Sequence, residues 1–212
     1  VEEKMSLIKL ENITKSYRGS QIFNNLNLEV EKGEFLGIKG ESGAGKSTLL
    51  NIIGLLEECE GKVIIEGKEV SSQDTSEVRK LLKNKIGYLF QNYALIDDLT
   101  VYENLKIVLD GISKKEGRGL ILQELIKLGL GDILDKKIFQ LSGGEQQRVA
   151  IVRLILHKSE IILADEPTGS LDRKNAEIIM NLLKEFHNQG KTIIMVSHDE
   201  GAISHCSRVI NL

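Results

Sequence analysis

Gly40-Glu41-Ser42-Gly43-Ala44-Gly45-Lys46-Ser47-Thr48 fits the pattern G-x-x-x-x-G-K-[ST] at every fixed position from Gly40 to Ser47. A short apolar run, Phe35-Leu36-Gly37-Ile38-Lys39, precedes it, and Leu49-Leu50-Asn51-Ile52-Ile53-Gly54-Leu55-Leu56, of helical content, follows. Strand, glycine loop and helix in that order are the context this motif demands. The glycines let the backbone curl until several N–H groups face one point, and the helix behind adds its positive end. A triphosphate suits such a cradle. Lys46 would reach the β and γ phosphates, Ser47 would ligate Mg2+, and Thr48 would touch the α phosphate.

Outward from the loop, β patterning comes first. Ser6 to Ile13 alternates, as does Asn27 to Val30, and Gly61 to Gly67 reads as a two-stranded return to that region. Ile86 to Gln91 reads as an interior strand. From Asn92 to about Arg153 strand patterning disappears, while Val101 to Leu109 and Leu120 to Leu128 carry apolar residues at helical spacing, separated by a polar loop, Ser113 to Gly119. Two more buried strands, Glu160 to Ala164 and Thr192 to Val196, flank a helical stretch from Ala176 to Gln189. Strands alternating with helices predict an α/β core with a parallel sheet.

Composition narrows the partners. The chain has 212 residues, 28 Lys+Arg against 31 Asp+Glu and a net charge of −3, so it has no basic field to hold nucleic acid and none is expected as a partner. Its length suffices for one domain with its own core. Cys59 and Cys206 form no CxxC pair and are expected to be buried, reduced thiols. The longest near-apolar run, Ile52 to Leu56, is far too short to span a membrane, and the acids at Glu2 and Glu3 do not suit a signal peptide. A membrane role would have to come through a partner.

A second phosphate-chemistry element is Ile161-Ile162-Leu163-Ala164-Asp165-Glu166, a buried strand ending in two carboxylates. Asp165, at the strand's C-terminal edge, is placed to hold Mg2+ as a Walker B aspartate does. Glu166 points to the opposite face and is assigned to the attacking water. Read alone, the pair could equally cap a turn with Pro167; beside the glycine loop, the phosphate reading is the stronger.

No Asn-Lys-x-Asp base-recognition element of a GTPase occurs, since Asn84-Lys85 continues as Ile86-Gly87. A small-molecule kinase stays open from the loop alone. Leu141-Ser142-Gly143-Gly144-Glu145-Gln146-Gln147-Arg148 separates these readings: a hydroxyl and two glycines open an amphipathic helix, a second anion-binding N-terminus for which the chain's own nucleotide has no obvious use. With this segment the sequence resembles the ATP-binding subunits of ABC transporters over essentially its whole length. Leu141 to Gln147 matches that family's signature motif. Asn51 to Leu56 and Ala164 to Asp172 carry a closer likeness to the compact bacterial ATPases of lipoprotein release, macrolide export and bacteriocin export.

The resemblance implies further roles, residue by residue. Tyr17 matches the aromatic that stacks on adenine, Gln91 the glutamine that senses Mg2+ and the attacking water, Asp172 the loop that crosses to the other subunit, and His198 the histidine that donates to the γ phosphate. Glu166, His198, Gln91 and Lys46 would be catalytic; Ser47, Gln91 and Asp165 would hold the metal. His157, His187 and His205 match nothing and are read as structural. The implied architecture is a single P-loop NTPase domain over residues 1–212. Its RecA-like core would take about 38–60, 71–91 and 154–212, an antiparallel β subdomain about 5–37 and 61–70, and a helical signature subdomain about 92–153. The implied partners are a second ATP-binding subunit, each ATP lying between the glycine loop of one and Ser142-Gly143-Gly144 of the other, and an integral membrane permease. The permease would hold the chain to the inner face of the membrane from the cytoplasm and would meet the proline-free segment Asn92 to Thr100. Homodimer or heterodimer, cargo, and transport as against mechanotransmission stay open, with a lean towards export.

Overall fold

The computed structural model describes residues 6–17, 19–169 and 173–212. Two long strands, β1 (Ser6–Tyr17) and β2 (Ser20–Glu31), pair antiparallel. Their alternation is legible only in parts because the pairing is bulged. Asn12 and Asn25 both take left-handed backbone, with φ of 55° and 59°, and register shifts fall on either side of Ile13. A bulge inserts a residue and reverses which side chains face inward. Side chains hold the irregularity: Asn12 N–H donates to Asn27 Oδ1 at 2.9 Å and Asn25 N–H to Thr14 Oγ1 at 3.2 Å.

β3 (Phe35–Lys39) then enters a different sheet and leads through the glycine loop into α1 (Lys46–Ile53). β4 (Glu60–Ile65) and β5 (Lys68–Val70) return to the first sheet, whose order is β2-β1-β4-β5. α2 (Thr75–Asn84) and β6 (Ile86–Leu89) follow. Next come α3 (Val101–Lys106), α4 (Lys114–Lys127) and α5 (Gly143–His157), and then β7 (Ile161–Asp165), α6 (Arg173–Asn188), β8 (Thr192–Val196), α7 (Glu200–Ile203) and β9 (Arg208–Asn211). The second sheet is parallel, in the order β6-β7-β8-β3-β9.

Two expectations need correction. Residues 35–37 do not belong with the antiparallel strands: Phe35, Leu36 and Gly37 pair with Ile193, Ile194 and Met195 of β8, and the antiparallel pairing of β2 with β1 ends at Glu31. The turn at Gly33, φ 74°, lies between the two sheets. Ser113 to Gly119 is not a loop. Ser113 accepts from the N–H of Glu116 and starts α4 one residue later, so Gly117 and Gly119 lie inside a helix. A serine followed three residues on by an acid is a start signal that outweighs two glycines. α5 also runs past Arg153 to His157.

Three apolar clusters organise these elements. Leu49, Leu50, Ile52 and Ile53 of α1 are buried between the antiparallel sheet (Ile8, Leu10, Val30) and one face of the parallel sheet (Leu36, Ile38, Leu163, Ile194, Val196). The opposite face (Phe35, Ile162, Ala164, Ile193, Met195) packs on Ile179, Met180 and Leu183 of α6 and on Ala150, Ile151 and Leu154 of α5. The other side of α5, with Val149, Val152 and Leu156, packs on Val101, Leu105, Ile121 and Leu125 of α3 and α4. α5 is therefore buried on two sides and joins the sheet to the helical segment. Among the described residues no helix is long and apolar enough to cross a membrane.

Candidate functional site

The C-terminal ends of β3 and β7 place the site. Along β7, Ile161 and Leu163 face α1 while Ile162 and Ala164 face α6. The two-residue period of a strand carries Asp165 to the α1 side. There it accepts a hydrogen bond from Ser47 Oγ at 3.0 Å. Burial pushes the Asp165 carboxyl above its ordinary pKa, and the neighbouring Glu166 adds to this, against the opposing pull of Ser47 and Lys46. A cation there would relieve that desolvation.

α1 starts differently from its neighbours. Asp74, Thr100, Ser113, Ser142 and Asp199 cap their helices with side-chain oxygens. α1 begins at Gly45, φ 91°, with no side-chain cap and no acid in its first turn. The N–H groups that every helix leaves unpaired at its start are thus kept for something outside the chain, where the helix dipole favours an anion. Gly45 also lies so tightly under β2 that an added Cβ would overlap the Ile22 side chain and come within 3.0 Å of Phe23 Cζ. Ala44 N–H closes the loop onto Glu41 O at 3.2 Å. Lys46 Nζ turns back to the carbonyls of Gly40 and Glu41, at 3.0 and 2.8 Å. Carbonyls hold an ammonium less strongly than phosphate oxygens do, so the contact is exchangeable.

A cleft of about 540 Å³ opens over this loop. Tyr17, Ser42, Gly43, Gly45, Lys46, Ser47, Thr48, Gln91, Glu166 and His198 line it together. Ile22 and Val196, which motif reading passed over, complete the wall. Tyr17, the last residue of β1, is 41% exposed. Glu166 leaves β7 in left-handed backbone, φ 45°, a conformation worth about 1–3 kcal/mol of strain that persists only where surroundings impose it. Its N–H is fixed to Val196 O at 3.0 Å. Its carboxylate accepts from His198 Nδ1 at 2.8 Å and from the His198 N–H at 3.4 Å. The same carboxylate raises the imidazole's pKa above its ordinary value.

Ser142, Gly143 and Gly144 do not line the cleft. Ser142 caps α5 reciprocally: its N–H and Oγ donate to Glu145 Oε2 at 2.8 and 2.7 Å, and its Oγ accepts from the Glu145 N–H. An added Cβ at Gly143 would meet nothing within 4 Å, so this helix start faces open space. Asp172 lies outside the described residues. His157 and His187 serve the fold, bonding Leu82 O at 2.8 Å and Gly33 O at 3.0 Å.

Two contacts were not foreseen. Tyr93 and Ala94, just past Gln91, are both left-handed, with φ of 61° and 44°. Arg153 of α5 donates to both of their carbonyls, at 2.6 and 2.5 Å. Gln147 of the same helix, buried, donates to Pro167 O at 3.0 Å in the turn after β7. Paired left-handed residues without glycine give no sequence signal, and a buried glutamine in a polar run looks like any exposed one.

The donor set suits Mg2+. Ser47, Asp165 and Gln91 provide a hydroxyl, a carboxylate and an amide, hard oxygens without sulfur or imidazole. Among the described residues no cluster of three His, Cys, Asp or Glu could hold a metal alone.

Comparison with known proteins identifies the relatives of this fold. Residues 23–169 match the family described as ABC transporter. The lipoprotein-releasing system ATP-binding protein LolD of Aquifex aeolicus (strain VF5) is 44% identical over 196 residues, covering 91% of this chain and 88% of that protein. The macrolide export ATP-binding/permease protein MacB of Shewanella sp. (strain ANA-3) is 42% identical over 194 residues, covering 90% of this chain and 30% of the relative. The chain thus spans about a third of the length of the MacB relatives it matches. The ATP-binding cassette MJ0796, solved as a dimer in a post-hydrolysis state bound to ADP and Pi, superposes with a TM-score of 0.89 at 41% identity, covering 97% of this chain and 94% of that one. With its P-loop, its antiparallel and parallel sheets and this match over most of its length, the chain belongs to the ABC transporter family as an ABC ATPase cassette.

Proposed function

We propose that the chain binds ATP with Mg2+ in this cleft, closes head to tail on a second ATP-binding subunit, most simply another copy, and uses hydrolysis to drive a membrane permease that exports or extracts a peptide, lipoprotein or drug. One observation carries the proposal. The cleft gathers a phosphate cradle, the Glu166 carboxylate and an aromatic face, while Ser142 and Gly143 open to solvent away from it. Each chain then owns half of two shared sites. The dimeric state of MJ0796 and the words "permease" and "lipoprotein-releasing" in the relatives' names support the reading. The permease would hold the chain at the inner face of the membrane. The segment around residues 92–153, joined to the sheet through α5, would act as the part that answers to it.

The residues divide the work as follows. Phosphate oxygens replace the Gly40 and Glu41 carbonyls at Lys46 Nζ, and the uncapped N–H groups of α1 close around them. Tyr17 stacks on the base. When bound between Ser47, Asp165 and Gln91, Mg2+ supplies neutralisation of charge on the phosphate oxygens. Glu166 takes a proton at a carboxylate oxygen from the water that attacks the γ phosphorus, and the bond to the β-phosphate oxygen breaks. For this, His198 Nδ1 has to release Glu166 Oε1, and the freed imidazole donates to the γ phosphate. Closing a pair from about 1:99 to 99:1 takes about 5.5 kcal/mol. Hydrogen bonds to charged groups contribute about 1.5–3 kcal/mol each, so one or two γ-phosphate bonds per site suffice. Loss of that phosphate reopens the pair.

Glu166→Gln should slow turnover by roughly 10²–10⁴ and accumulate ATP-loaded dimers in solution scattering. A variant hydrolysing at the parental rate removes Glu166 from the role. Ser142→Phe should spare nucleotide binding by the single chain and abolish ATP-dependent dimers; dimers that persist would end the shared-site reading.

A further inference from the structure

Beside the cleft, a lysine and a glutamate far apart in the sequence meet at the Tyr17 ring. Lys15, two residues earlier on the same face of β1, holds its Nζ 4.9 Å from the ring centroid. The same ammonium is 2.9 Å from Glu57 Oε1 and donates to Glu58 O at 2.6 Å. Glu57 thus meets the Tyr17 ring through the Lys15 ammonium, which it holds over one face. The Lys15 and Glu57 side chains are only 14% and 24% exposed. This is therefore no loose surface ion pair of the kind that contributes little.

We infer that Glu57 is a positioning residue for the nucleobase: with Lys15 it fixes the Tyr17 ring in the plane on which the base stacks. The inference rests on the reading of Tyr17 as the base-stacking residue. A tyrosine at the end of a strand, 41% exposed, has free rotamers. Glu57, by holding the Lys15 ammonium against one face of the ring, restricts that freedom before the ligand arrives, which lowers the ordering cost of binding. Lys15 does not line the cleft, whereas Tyr17 does. The ammonium covers one face of the ring and leaves the other for a base.

The test compares ADP with inorganic pyrophosphate, both with Mg2+, by calorimetry on the intact chain. Stacking on an aromatic contributes about 1–3 kcal/mol per base, or 5- to 150-fold in affinity. Tyr17→Ala should weaken ADP by that much and leave pyrophosphate unchanged. Glu57→Ala should weaken ADP roughly 3- to 10-fold with pyrophosphate again unchanged, and Glu57→Gln, which keeps an oxygen for the Lys15 ammonium, should lose less. In the Tyr17→Ala background, Glu57→Ala should cost nothing further. Equal weakening of ADP and pyrophosphate would make Glu57 merely structural and overturn the inference, as would losses that add in the double variant. Should Tyr17→Ala leave ADP affinity intact, the base-stacking reading itself fails, and the role of Glu57 with it. Pyrophosphate binding reports folding of every variant independently of the base.

Discussion

Two glycines of the loop differ in one respect that a pair of substitutions can isolate. Gly43 and Gly45 both have left-handed backbone, at φ 85° and 91°. Alanine in that region costs about 1–2 kcal/mol, partly offset by about 0.4–1 kcal/mol from restricting the unfolded chain. At Gly43 nothing lies within 4 Å of the added Cβ, so Gly43→Ala should lose about 1 kcal/mol or less. At Gly45 the Cβ would overlap the Ile22 side chain and crowd the Phe23 ring. Overpacking of this kind adds about 1–3 kcal/mol. Because Ile22 is only half-buried and can shift, the lower half of that range applies first. Urea unfolding followed by far-UV circular dichroism should therefore separate Gly45→Ala from Gly43→Ala by about 1–2 kcal/mol. Gly45→Ala should also weaken ADP more, since the strain falls where α1 begins. Equal stability losses would mean that β2 does not press on the loop, and the packing described above would be wrong.

The Glu166 contact holds His198 above the usual histidine pKa of about 6.5, so the pair contributes its stability in full below pH ~6.5 and loses it as pH rises through the folded value. In Glu166→Gln the imidazole midpoint by NMR should fall back, and an unchanged midpoint would break the assignment. Arg153→Met, which keeps the apolar stem, strands the carbonyls of Tyr93 and Ala94 and should cost about 1.5–3 kcal/mol in urea unfolding; a loss under ~0.5 kcal/mol would deny the clamp. Burial pushes the Cys206 thiol up to about 12 and raises Cys59 as well. Iodoacetamide at pH 8 should label both far more slowly in the folded chain than in urea, and equal rates would contradict their packing.

What could be read from the chain was what is written locally. Gly40 to Ser47 carries its geometry within eight residues of sequence, and the apolar run Ile161 to Ala164 already puts Asp165 at a strand's C-terminal edge. Tyr17, Gln91 and His198 were placed by their order relative to those motifs, and the fold brings them to one cleft. Long-range contacts were not legible. Nothing around Glu57 says that it pairs with a lysine 42 positions earlier, and nothing around Arg153 says that it holds carbonyls 59 and 60 residues away. The reach of β1 past Ile13 was hidden because its bulge breaks the period on which strand reading depends. The start of α4 was hidden because glycines drew more attention than the serine before them.

Three of the hydrogen bonds described above turn α5 into a lever. Gln147 pins it to the turn beyond Glu166, and Arg153, about two turns further on, pins it to the loop beyond Gln91. Ser142 stands at its tip, about 15 Å along the axis from Arg153. A helix buried on two sides bends little, so tilting it by about 10° at the Arg153 end sweeps the tip through roughly 3 Å, the length of one hydrogen bond. A nudge on the loop after Gln91 is thereby enough to bring the serine and glycines at the tip into or out of reach of whatever lies opposite them.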